Sequence, residues 1–62
     1  MKYIRKNRAF EILQIINEKD SMRLAEQYLF LGQLLGIAEF LQDEDLKSDI
    51  NEAQIFIEKF LD

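Results

Sequence analysis

The chain has 62 residues, 48% hydrophobic and 32% charged, with a formal charge of −4, enough for one small acidic domain and no second core. With no His and no Cys it lacks disulfides and the usual zinc ligands, and at this length apolar burial and chain ordering nearly cancel, so a lone copy is marginal. Val, Thr, Pro and Trp are also missing while Leu, Glu, Gln, Lys and Ala abound, which predicts an all-α, compact three-helix unit forming a single domain over residues 1–62.

The N-terminal stretch Met1 to Lys6 is charged and lacks the apolar run and small-residue cleavage site of a secretory signal, so the expected location is the cytoplasm. Continuing a helix backwards through it would put Lys2 and Arg5 on the apolar side. Residues 1–6 therefore read as a basic N-terminal arm. A first helix is predicted over 7–19, with Asn7 as its cap and Ala9, Ile12, Leu13 and Ile16 on one face.

Asp20 and Ser21 interrupt the pattern, and either can cap a second helix over 22–41. Its apolar residues, from Met22 to Leu41, occupy almost the whole circumference rather than a stripe. A helix of that kind needs cover on several sides. The apolar run Tyr28 to Ala38 is too short to cross a bilayer and is bracketed by Glu26, Gln27, Glu39 and Gln42, so no membrane partner is expected. Within it, Gly32 and Gly36 each cost about 1 kcal/mol relative to alanine in a helix. Ala25, Leu29, Gly32, Gly36 and Phe40 lie along one line, which predicts a close crossing with a second copy and a homodimeric helical bundle. Packing of a neighbouring helix of the same chain, or a kink at Gly36, would also use such glycines.

Gln42, Asp43, Glu44 and Asp45 read as a short turn with acidic residues at the positive end of the next helix. That helix is predicted over 46–61, with Leu46, Ile50, Ala53, Ile57 and Phe60 spaced four, three, four and three apart, and Phe56 and Leu61 widening the stripe. The acidic group including Asp49 lacks the loop length and central glycine of a calcium site, and helix capping accounts for it. Ile55 stands alone on the polar face. With Tyr3 and Ile4 of the arm it is a candidate surface for a protein partner.

Charge is uneven along the chain: residues 1–23 carry six bases and three acids, residues 24–62 two bases and nine acids. Lys2, Arg5, Lys6 and Arg8 are thus candidate nucleic-acid contacts, although the acidic remainder opposes such binding. Neither Ser21 nor Ser48 has a base at motif-like spacing, and there is no glycine-rich phosphate loop. No catalytic, cofactor-binding or metal residue is expected. The sequence therefore predicts a non-enzymatic interaction protein, a homodimeric adaptor or inhibitor that occupies a larger protein, for instance a phage-encoded inhibitor of a host system. The alternative is a nucleic-acid-associated regulator working through the basic arm.

Overall fold

A computed structural model describes residues 6–61. Helix α1 spans Arg8–Asp20, α2 spans Leu24–Leu41 and α3 spans Glu44–Glu58, and no strand occurs among the described residues. The Asn7 side chain caps α1 by accepting from the Phe10 N–H at 3.0 Å, and Asp43 caps α3 by accepting from the Leu46 N–H at 3.1 Å. Glu44 and Asp45 fill the first turn of α3, where the helix dipole favours carboxylates. The acidic turn is thus a capping device, and α3 starts two residues before its predicted position.

The start of α2 differs from the sequence reading. Ser21 belongs to the end of α1, where it adopts a left-handed backbone with φ 46° and returns its N–H to the Asn17 carbonyl. Neither Ser21 nor Asp20 caps α2; Arg23 takes that position, and the Glu26 carboxylate reaches back to the Arg23 N–H at 3.4 Å. The Asn17 side chain accepts from the Met22 N–H, and Gln27 donates to the Met22 carbonyl at 2.9 Å. Those two bonds hold Met22 outside the helix. Asn17 closes the connection from one side and Gln27 from the other, so α2 begins at Leu24 instead of residue 22.

Packing centres on α3. It supplies Leu46, Asp49, Ile50, Ala53 and Ile57 to the buried set, whereas α1 supplies Ala9 and Leu13 and α2 only Leu31 and Ala38. Both α1 and α2 lie along α3 and meet each other only marginally. The element central in sequence is therefore flanking in space. The four-three spacing of α3 explains this, since Leu46, Ile50, Ala53 and Ile57 make a seam wide enough to receive a helix on each side. Phe60 lies past the end of the helix and is exposed, in contrast to its predicted place in the seam, and Phe56 is about half exposed.

Candidate interaction surface

Helix α2 turns one side to α3 and leaves the other to solvent. Leu31 and Ala38 point inward and are fully buried, and Tyr28, Phe30, Leu34 and Leu35 pack around them at the border. A hydrogen bond of 2.7 Å from the Tyr28 hydroxyl to the Glu58 carboxylate ties the border of α2 to the last turn of α3. Accepting that bond, the carboxylate of Glu58 raises the phenol pKa, with partial desolvation and the carboxylate charge acting in the same direction.

The outer side of α2 is apolar and uncovered. Phe40 is 87% exposed, Leu29 67% and Ile37 56%, and Ala25, Gly32 and Gly36 are exposed between them. All five residues predicted to form an oligomer interface, Ala25, Leu29, Gly32, Gly36 and Phe40, thus share one exposed face, with the Gln54 side chain of α3 reaching its edge beside Gly32. A single helix can be clothed on both sides only if a second neighbour arrives, and α1 is held away by its own packing against α3.

The two glycines are not explained by contacts within the chain. A methyl group added at Gly36 would meet nothing within 4 Å, and one at Gly32 would make only an ordinary contact of 3.8 Å with the Gln54 side chain. Helix α2 runs unbroken through both, so neither marks a break. Ser21 and Gln42 occupy the left-handed positions at helix ends, with φ 46° and 56°, that glycine would take at least cost. The chain places its glycines on the open face of α2 instead.

Other sequence candidates are dispersed. Ile55 is 50% exposed on the outward side of α3, while Tyr3 and Ile4 lie outside the described residues. Of the basic candidates, Lys2 and Arg5 also lie outside them, Lys6 is exposed, and Arg8 forms an ion pair of 2.8 Å with Asp43. Folding therefore sets a basic residue of the first segment against an acid of the second. Between α1 and α2 an open groove of about 390 Å³ is lined by Phe10, Leu13, Gln14, Asn17, Glu18 and Gln27, a mixed polar and apolar wall.

Two arrangements had no clear sequence signal. Asp49, only 3% exposed, accepts from the Arg8 N–H at 3.1 Å, and its backbone carbonyl accepts from the Asn7 side chain at 3.0 Å. Phe10, Phe56 and Phe60 form a chain of edge-on ring contacts, with centroids 5.6 and 5.3 Å apart, across α1 and α3. On a helical wheel of α3 Asp49 falls at the edge of the apolar seam, a signal that the assignment of the acidic group to helix capping did not use.

No helix among the described residues is long and apolar enough to cross a membrane, and no group of three or more His, Cys, Asp or Glu residues converges to hold a metal ion there. The chain matches no protein-family model, no curated protein and no solved structure.

Proposed function

We propose that the chain is a non-enzymatic, cytoplasmic interaction protein that pairs with itself through the outer face of α2 and, as a homodimer, occupies a surface of a larger protein as an adaptor or inhibitor. The observation that carries this reading is the uncovered apolar side of α2, with Phe40 87% exposed at one end and Leu29 67% exposed toward the other. Large apolar patches of this kind mark sites of protein contact. Ile55, on the outward side of α3, is the candidate contact for the larger protein because it is apolar among polar neighbours and far around the helix from the buried seam.

Sedimentation velocity at tens of micromolar tests the pairing. The expected result is a dimer for the natural chain and a folded monomer for Phe40→Asp, since Phe40 contributes little to the monomer core. A natural chain that sediments as a monomer overturns the reading. For the larger partner, Ile55→Asp should leave the dimer intact and abolish capture of a protein that the natural chain retains from its host. Undiminished capture by Ile55→Asp removes Ile55 from the contact.

A further inference from the structure

We infer that the two copies pair antiparallel along α2, with Gly32 level with the partner's Gln33, so that large residues of one copy fill the small positions of the other. This inference rests on the self-association proposed above and adds its direction and register. The uncovered face spans residues 25–40 and alternates in size: Ala25 small, Leu29 large, Gly32 and Gly36 open, Phe40 large. In the stated register Phe40 lies against the partner's Ala25, and Leu29 against the partner's Gly36. Both pairings recur by two-fold symmetry. Each protruding side chain then meets a gap, as close packing requires. A parallel pair does the opposite, setting Phe40 on Phe40, Leu29 on Leu29 and glycine on glycine, which leaves bulges and voids at the same levels.

Area and the direction of the helix dipoles agree with this arrangement. The exposed parts of Leu29, Ile37 and Phe40, with Ala25, Gln33 and the glycine backbone, offer at most about 650 Å² per copy, so that nearly all of it must be buried to reach the lower end of the range for stable pairs. Glycine backbones at the crossing let the helix axes approach closely. The last turn of α2 has no basic residue, and the antiparallel register sets the carbonyl end of each α2 beside the N-terminal end of the other, with opposed helix dipoles. A parallel pair would gather both carbonyl ends, with their Glu39 and Glu44 side chains, at one end of the dimer. The antiparallel pair separates them.

Because the chain has no natural cysteine, single substitutions report the register directly. Residues 25 and 25, or 40 and 40, are separated by about 22 Å along the axis in the antiparallel pair, far beyond disulfide reach, whereas the two Gln33 positions adjoin. Under mild oxidation Gln33→Cys should link to its own copy and Ala25→Cys should not. A mixture of Ala25→Cys and Phe40→Cys chains should give the linked heterodimer. All three sites are exposed, so circular dichroism should be unchanged, and sedimentation of the reduced chains is run alongside. A dimer in which Ala25→Cys links to itself, or in which Gln33→Cys fails to link, overturns the register and leaves self-association standing. Monomeric Gln33→Cys and natural chains overturn both.

Discussion

At the scale of single residues the most consequential side chain is Asp49. It is a carboxylate inside the core, and such a group is tolerable only when its oxygens find donors. Here the Arg8 N–H at the start of α1 supplies one. The same carboxylate adds negative charge at the positive end of α1, where Asn7 already serves as the sequential cap. Asp49→Ala should therefore cost about 1–2 kcal/mol in chemical denaturation by removing a cap from the partly buried Arg8 N–H. Arg8→Ala should cost less than about 1 kcal/mol, since the Arg8 to Asp43 pair is partly solvated and screened, at 49% and 33% side-chain exposure. Equal losses in the two variants would contradict this ranking. Tyr28 gives a second check at this scale. In a Tyr3→Phe chain the remaining phenol should titrate above the ordinary tyrosine range by absorbance, and move back toward it in Glu58→Ala. The raised value stabilises the fold only while the phenol is protonated, so this contribution is present at neutral pH and is lost as pH rises through the folded-state value.

At the scale of elements, the number and order of the helices were legible in the sequence. The missing β-formers, the Asn7 cap and the acidic turn at residues 42–45 left little alternative to three helices. The packing order was not legible. Apolar content pointed to α2 as the element most in need of cover, yet burial on folding goes to the helix whose seam can serve two neighbours, and that is α3. A fully apolar helix and a buried helix differ only in what surrounds them, and one sequence carries no record of the surroundings. The ends of α2 were hidden for another reason: Asn17 and Gln27 take over the turn through side-chain bonds that helical periodicity does not register. For the residues proposed to form the interface, the wheel sufficed to place Ala25, Leu29, Gly32, Gly36 and Phe40 on one face, because that depends only on helix geometry. Gly36 permits a prediction proper to the element. Gly36→Ala should raise the stability of the monomer by about 1 kcal/mol, because the position is helical and the added methyl meets nothing. Gly36→Leu should keep the helicity while dissociating the proposed dimer in sedimentation, since the leucine would fill the space that the proposed register gives to Leu29 of the other copy. A Gly36→Leu chain that remains dimeric would show that the glycine is not at the contact.

At the scale of the whole molecule, opposite charges that are separated in sequence are joined in space. The basic first segment and the acidic second one meet where Arg8 reaches Asp43, so the dipole suggested by the linear chain is partly cancelled by folding. Arg8, one of the four bases named as candidate nucleic-acid contacts, is thus paired with an acid of the same chain. The net charge of −4 is unchanged by that pairing and opposes the approach of a polyanion at long range.

The marginal contact between α1 and α2 carries a kinetic consequence. Two leaves hinged on a single spine can open one at a time, and α1, which adds only Phe10 and Ile12 to its buried pair where α2 adds Tyr28, Phe30, Leu34 and Leu35, should open first. Amide hydrogen exchange should accordingly find the α1 protons exchanging sooner than those at the middle of α3, through a partly opened species in which the α2–α3 hairpin persists. Uniform protection across all three helices would instead indicate that the molecule opens only as a unit.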